Sequence, residues 1–143
     1  MELTNDYVQS IKKFNSNIEA LLNPIDFDPE NIFLSKEDPD SFFILEQSKE
    51  IIELLIDAYW KIKYLSKPIK EEGILLKNKK GRYMISQKYD YEFTSGSPIE
   101  VLIYDEWFEK EKWVITRVEH TDGDYYLYGY KKIGMQGLPA RRR

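Results

Sequence analysis

The sequence predicts an α+β protein in which two main N-terminal helices precede a small antiparallel β-domain, either an SH3-like β-barrel or a bent sheet of five to six strands. Two patterns carry this prediction. In the first half, apolar residues recur every three to four positions, which is typical of amphipathic helices. In the second half, short runs of β-branched and aromatic residues alternate with turn sequences. We therefore expect an acidic helical region over residues 1–72 and a β-domain over residues 73–143.

The first predicted helix spans residues 4–22. Thr4, Asn5 or Asp6 is a suitable N-cap. The Asn-Pro step at 23–24 ends the helix, because the residue before a proline is pushed out of the α region. Its apolar positions recur at helical spacing and are Val8, Ile11, Ile18, Leu21 and Leu22. Residues 25–39 are predicted to form an ordered loop.

The second predicted helix begins at Asp40 or Ser41, either of which can cap it, and runs to about Ser66, where a Lys-Pro step stops it. Its predicted buried face alternates by three and four and consists of Ile44, Ser48, Ile51, Leu55, Ala58, Ile62 and Leu65, widened on one side by Leu45, Ile52, Ile56 and Tyr59. A helix this apolar needs a partner, which is the first helix, the β-domain or a second copy of itself.

The β-domain is organised around a predicted meander of three strands over residues 99–104, 112–120 and 124–130. Between the last two strands, Asp122 and Gly123 are expected to supply the positive φ angles that a tight hairpin needs. The rest of the chain must pack onto this meander.

Further strands are predicted on both sides of the meander. Residues 74–77 and 82–86 form a first hairpin around the turn sequence at 78–81. Residues 89–93 alternate aromatic and charged side chains and are a candidate short strand. Residues 138–142 can supply a closing strand.

Composition excludes several classes of site. The chain has no cysteine, which rules out disulfides, cysteine-based zinc sites and cysteine nucleophiles. The longest apolar-rich segment, residues 51–65, is interrupted by four charged residues, so we predict no transmembrane helix. The first residues do not resemble a signal peptide. We therefore expect a cytoplasmic protein.

The net charge of −4 hides an asymmetry between the two halves. Residues 1–72 contain 8 Lys and Arg against 15 Asp and Glu, whereas residues 73–143 contain 13 against 10. The acidic residues are concentrated between positions 26 and 57. A charge difference of this kind indicates something about partners rather than about the fold.

A row of carboxylates on the second helix is the candidate partner-binding surface. The acidic stripe, as we call it, consists of Glu46, Glu50, Glu53 and Asp57, and Trp60 and Tyr64 continue it at the same spacing. Successive carboxylates lie about 5–6 Å apart along the axis, a coarse imitation of the ~3.4 Å phosphate repeat of a nucleic-acid strand. The predicted partner-binding set also includes Asp38 and Asp40. The alternative interpretation is a solvated helix face, with the two aromatic residues folded against the β-domain.

Two other groups of side chains invite a catalytic interpretation. His120 lies near Glu119, Asp122 and Asp124, but no nucleophile or second histidine accompanies it, so we interpret it as a turn residue. A cluster of carboxylates over residues 105–111 is interpreted as a solvated hairpin loop. We predict no catalytic, cofactor-binding or metal-binding residues, and hence no enzyme.

The β-domain is rich in aromatic residues, which are Tyr89, Tyr91, Phe93, Trp107, Trp113, Tyr125, Tyr126, Tyr128 and Tyr130. Strand alternation puts Tyr126, Tyr128 and Tyr130 on one face. With Lys131, Lys132 and residues 141–143 nearby, these rings can stack on bases while the cations meet phosphates. The competing interpretation is half-buried sheet packing, with residues 141–143 as a mobile tail.

The β-domain resembles a family of small bacterial domains known as domain of unknown function 5348, over about residues 73–142. The matching residues are Gly73, Gly81-Arg82-Tyr83, residues 94–102, Trp113-Val114, residues 116–120, residues 124–127 and residues 137–141. The resemblance implies an origin in plasmids, phages or integrative elements, some of whose small proteins inhibit host defence nucleases. It assigns no active site.

Two functional hypotheses follow. The first is a non-enzymatic inhibitor, anti-CRISPR-like, whose acidic helical surface occupies a basic groove on a partner such as a Cas nuclease. The second is a nucleic-acid-binding SH3-like module that uses the tyrosines and basic residues of the β-domain. In either case the chain is expected to be a monomer or a homodimer formed through the second helix.

Overall fold

The computed structural model describes residues 3–85 and 91–143 and divides the chain into two compact units. The helical unit is residues 1–67 and the β-unit is residues 68–143. The first strand of the β-unit begins at Glu71, so the predicted boundary at 72/73 lies inside a strand.

The helical unit contains α1 (Asn5–Leu22), two short 3₁₀ turns and α2 (Pro39–Ser66). Thr4 caps α1, since its hydroxyl accepts a hydrogen bond from the backbone N–H of Tyr7 at 3.2 Å. The cap of α2 is Asp38, and the prediction of Asp40 or Ser41 is wrong. Pro39 at the first helical position explains the earlier start, because its fixed φ angle suits the first turn and its missing N–H costs nothing there.

The core of the helical unit joins the C-terminal part of α1 to that of α2. Ile18 and Leu22 cluster with Tyr59 and Ile62, and the hydroxyl of Tyr59 donates a hydrogen bond to Glu19 Oε1 at 3.0 Å. Leu22 is fully buried, whereas its neighbour Leu21 is 56% exposed. Of the apolar positions that predicted α1, Ile11 and Leu21 therefore lie outside the core.

The buried face of α2 is rotated from the predicted one. Ile44, Ile51 and Leu65 are at least half exposed. The buried or half-buried positions include a row spaced by three and four, which consists of Leu45, Ser48, Ile52, Leu55, Tyr59 and Ile62. Two overlapping apolar faces share this spacing, and contact with α1 selects one of them.

The β-unit is one sheet of six antiparallel strands, which confirms the predicted fold class. The strands are β1 (Glu71–Lys77), β2 (Tyr83–Ile85), β3 (Pro98–Asp105), β4 (Lys110–His120), β5 (Tyr125–Leu127) and β6 (Pro139–Arg142). Their order in the sheet is β2-β1-β6-β3-β4-β5. The predicted hairpin and meander are both present, but the last strand lies in the middle of the sheet, between β1 and β3.

The sheet is curled into a half-barrel around one core. Leu75 and Ile85, near one edge, share this core with Val118 and Leu127, near the other. An ion pair of 2.6 Å between Lys77 Nζ and Asp124 Oδ2 links β1 to the turn before β5, although three strands separate these elements in the sheet order.

Two local predictions in the β-unit are wrong. Gly123 does not adopt a positive φ angle, and the hairpin at that turn is closed by a hydrogen bond from Thr121 N–H to Asp124 O at 3.1 Å. Residues 141–143 are not a mobile tail, because their side chains are largely buried and paired with carboxylates. The candidate strand at 89–93 lies partly outside the described residues. Within the described part, Phe93 forms a single bridge with Tyr83.

Candidate interaction surfaces

The acidic stripe lies on the face of α2 that is turned away from the helical core. Glu46, Glu50, Glu53 and Asp57 are all exposed. Helical geometry places these positions on one face, about 5–6 Å apart along the axis. The four carboxylates therefore form a continuous negative row.

Among the residues that the structure describes, no side chain neutralises the stripe. Within residues 3–85 and 91–143, no lysine or arginine lies within ion-pair distance of its four carboxylates. Lys49 of α2 forms an ion pair with Glu30 at 2.6 Å instead of with the stripe. Like charges at these spacings repel by a few tenths of a kcal/mol per pair, so the row lowers the stability of the free helix slightly.

The two aromatic residues that continue the stripe differ in exposure. Trp60 is 53% exposed, and its ring packs against Tyr59 with a centroid separation of 5.0 Å. The ring centroid of Phe27 lies 6.2 Å from that of Trp60, and the Nζ of Lys63 lies 5.0 Å from it. Tyr64 is half-buried. Trp60 is thus held in place by its neighbours while much of its surface faces solvent.

Asp38 and Asp40 occupy the start of α2 and have different surroundings. Asp38 accepts hydrogen bonds from the backbone N–H and the hydroxyl of Ser41, at 2.9 Å and 2.7 Å. The first of these bonds is the largest cause that lowers the pKa of Asp38 below its ordinary value. Asp38 therefore has a structural role as a cap, whereas Asp40 is exposed and carries its charge in the first turn.

Sequence reasoning missed a row of exposed apolar side chains on α2, between the acidic stripe and the buried face. Ile44, Ile51 and Leu54 are all more than half exposed on α2. Their spacing of seven and three puts them on one side of the helix. This repeat was visible in the sequence, but its first two members were assigned to the core face.

A groove in the β-unit is lined by the three tyrosines that were predicted to share a strand face. The predicted strand over residues 124–130 is wrong at its end, because β5 stops at Leu127 and Tyr128 and Tyr130 lie in the turn that follows. We call this groove the tyrosine groove; its volume is about 690 Å³ and its lining includes Tyr126, Tyr128, Tyr130, Lys131, Lys132 and Ile133. It continues into a second hollow that shares Tyr128 and is lined by Ile115, Thr116 and Arg117. Leu127, on the opposite face of β5, is fully buried in the core.

The basic C-terminal residues are engaged inside the β-unit. Arg141 and Arg143 both donate hydrogen bonds to Glu100, and Arg142 donates to Glu71 at 3.0 Å. The guanidinium of Arg141 also lies 4.1 Å from the ring centroid of Trp113. These residues are therefore committed to the fold and do not form a free phosphate-binding tail.

Neither group considered for catalysis has a catalytic arrangement. His120 pairs with Tyr125 across the β4–β5 hairpin, with ring centroids 4.6 Å apart. Asp105 accepts hydrogen bonds from the N–H groups of the β3–β4 turn and pairs with Lys112, the first of the causes that lower its pKa. Both groups therefore stabilise turns.

The described residues also limit other kinds of site. Within them, no group of three or more histidine, aspartate or glutamate side chains is placed to hold a metal ion. None of the helices in these residues is both long enough and apolar enough to cross a membrane.

The fold and surfaces together define an α+β protein with a half-barrel of six antiparallel strands. Residues 73–142 match the family model described as domain of unknown function (DUF5348). Residues 73–142 are therefore similar to this family, as the resemblance predicted, and they coincide with most of the β-unit. Comparisons with curated proteins and with solved structures gave no match.

Proposed function

We propose that this chain is a non-enzymatic inhibitor of a nucleic-acid-directed defence nuclease, carried by a bacterial mobile element and acting in the cytoplasm by protein–protein contact. The observation that carries the proposal is the acidic stripe, whose four carboxylates are exposed and unpaired within the described residues. The target class rests on the resemblance to mobile-element proteins.

Electrostatics explains how such a surface finds its partner. A nuclease that binds DNA or RNA presents a channel lined by lysine and arginine, and a row of carboxylates is attracted to that channel. Such attraction raises the association rate and weakens as ionic strength rises.

The apolar side chains near the stripe explain how the complex would persist. Trp60 lies at one end of the stripe, and Leu54 lies beside it, four residues after Glu50 and three before Asp57. Buried aromatic and aliphatic contacts lower the dissociation rate, and tryptophan is enriched among the residues that dominate binding energy. The preferred partner is therefore a protein groove with cations beside an apolar ridge.

The test is a cleavage assay with a panel of purified CRISPR nucleases loaded with guide RNA. We expect the wild-type protein to inhibit at least one of them at near-stoichiometric concentration. The double variant Glu50→Lys/Asp57→Lys should raise the half-inhibitory concentration by about 100-fold. Loss of each close interfacial charge pair costs about 1.5 kcal/mol or more, which is about tenfold, and two pairs are lost.

The matched control reverses two exposed carboxylates of the β3–β4 hairpin, Glu106→Lys with Glu111→Lys, and changes the net charge by the same amount. It should inhibit as the wild type does. Equal loss in both double variants would indicate a general charge effect, and full inhibition by the stripe variant would refute the proposed surface. Light scattering on each variant distinguishes the monomer from a homodimer formed through α2.

A further inference from the structure

We propose that the tyrosine groove binds single-stranded nucleic acid, an activity separate from the acidic stripe. Its volume of about 690 Å³ falls in the range of ligand-binding pockets. Tyr128 is 53% exposed at its centre. Tyr128 thus offers aromatic surface to a ligand, while Tyr130 anchors the groove against the core.

The chemistry of the groove favours an anionic ligand with flat rings. Its lining contains Lys131 and Lys132 and no carboxylate. Lys131 Nζ lies 4.6 Å from the ring centroid of Tyr126. Within the described residues, neither lysine has a carboxylate partner. Rings on which bases stack, next to cations that meet phosphates, are the usual elements of sequence-tolerant single-strand binding.

Arg117 has a positioning role in this groove. Its guanidinium lies 3.7 Å from the ring centroid of Tyr128. Its Nε also donates to Glu119 Oε1 at 2.5 Å, and Glu119 accepts from the hydroxyl of Ser95 at 2.6 Å. Glu119 offsets the charge of Arg117. The guanidinium therefore acts as a flat surface stacked on the Tyr128 ring, which it orients, and Lys131 and Lys132 supply the positive charge for phosphates.

The backbone around Tyr128 is held firmly, so the groove is preorganised. Tyr128 N–H donates to Arg117 O at 3.0 Å, and the hydroxyl of Thr116 donates to Tyr128 O at 2.7 Å. Gly129, with a φ angle of 77°, then turns the chain, and Lys131 and Lys132, which follow the turn, line the same groove. A preformed site binds with a smaller loss of conformational entropy.

A proline-rich peptide is the main competing ligand for an aromatic groove on a small β-domain. Such peptides are recognised mainly through proline rings docked between aromatic side chains, which needs no cation. Within the described residues, however, the groove adds two lysines that have no carboxylate partner. The positive charge of the groove therefore favours nucleic acid.

The test is fluorescence anisotropy of the full chain with labelled oligo(dT) and oligo(U) of about 12 nucleotides, within the usual site size. We expect binding that weakens with salt. Tyr128→Ala should raise the Kd about tenfold, since one base–aromatic stack is lost, whereas Tyr128→Phe should bind as the wild type does. Lys131→Glu with Lys132→Glu should flatten the slope of log K against log salt by about 1.4, or about 0.7 per phosphate.

The controls are Tyr104→Ala and Lys79→Glu, exposed residues of the same unit outside the groove. Both should leave the Kd unchanged. The proposal is overturned if the wild type binds neither oligonucleotide at low salt, if the controls weaken binding as much as the groove variants do, or if a proline-rich peptide binds and competes instead. The lysine variants alter exposed side chains, so they test the proposal even if Tyr128→Ala fails to fold.

Discussion

Two buried carboxylates organise the charges at the centre of the sheet. The side chain of Glu100 is 3% exposed and accepts hydrogen bonds from Arg141 and Arg143. Glu71 is similarly buried and accepts from Arg142. These contacts tie β6 to β3 on one side and to β1 on the other, so the strand that ends the sequence stabilises the middle of the sheet.

Removing the charge of Glu100 should be costly. In Glu100→Gln, two largely buried guanidinium groups lose their anionic partner, and we expect the free energy of unfolding to fall by about 3 kcal/mol. Urea unfolding followed by tryptophan fluorescence measures the loss.

Glu72→Gln is the matched control, because Glu72 approaches the same Arg141 at 4.0 Å but is 52% exposed. Exposed pairs contribute about 0–1 kcal/mol, so its unfolding should stay close to that of the wild type. A similar loss in both variants would show that burial does not govern these ion pairs.

At the scale of the element, α1 illustrates how tertiary contact divides a helix that is apolar on two sides. Leu21 and Leu22 are adjacent and equally apolar, yet Leu22 is fully buried against α2 and Leu21 is not. Helical rotation of about 100° per residue points the two side chains in different directions.

Truncating these leucines should therefore have unequal effects. Leu22→Ala should destabilise the helical unit by about 3 kcal/mol, since it removes buried methyl groups and leaves a cavity. Leu21→Ala should change stability by about 0.5 kcal/mol or less. Urea unfolding followed by circular dichroism at the helix band compares the two, and equal losses would contradict the observed packing of α1.

At the scale of the whole molecule, charge is distributed differently over the two units. Within the described residues, the four carboxylates of the stripe form no ion pair, whereas most acidic residues of the β-unit do. Four carboxylates of the β-unit have pKa values below their ordinary values and are Glu92, Asp105, Glu119 and Asp124. The largest causes are hydrogen bonds from Arg82, Lys112, Ser95 and Lys77 respectively.

The β-unit should consequently lose stability in acid. A carboxylate whose pKa is lower in the folded state stabilises that state above its unfolded pKa, and the contribution is lost as the pH falls through the folded value. We expect the melting temperature to be nearly constant from about pH 7 to pH 5 and to fall below about pH 4, where unfolded carboxylates take up protons.

Calorimetry across this range measures the effect, and high salt should reduce the acid-induced fall because these pairs are accessible to solvent. A melting temperature that stays constant down to about pH 2.5, below the ordinary carboxyl pKa values, would show that the ion pairs add no net stability.

Local patterns in the sequence determined the kinds of element and most of their limits. The helix over residues 4–22, the end of α2 at Ser66 and the hairpin around residues 78–81 were predicted correctly. The acidic stripe was also predictable, because exposure on α2 follows from charge at helical spacing. Capping groups, proline and turn residues act within a few positions, so most element limits follow from neighbouring residues. The exceptions include the cap of α2 at Asp38 and the backbone conformation of Gly123.

Tertiary structure alone decided which faces are buried, where β6 lies and what residues 141–143 do. An apolar repeat does not determine which of two overlapping helix faces is buried. Ile51 and Ile52 are adjacent and equally apolar, yet Ile51 is exposed and Ile52 is half-buried. Likewise, three consecutive arginines at 141–143 indicate a solvated tail when only the sequence is considered. In the fold, Glu71 and Glu100 lie beside them although they are distant in the chain. These outcomes depend on contacts between residues far apart in the chain. A buried charge is costly unless it is paired, and its partner is beside it only once the sheet is assembled.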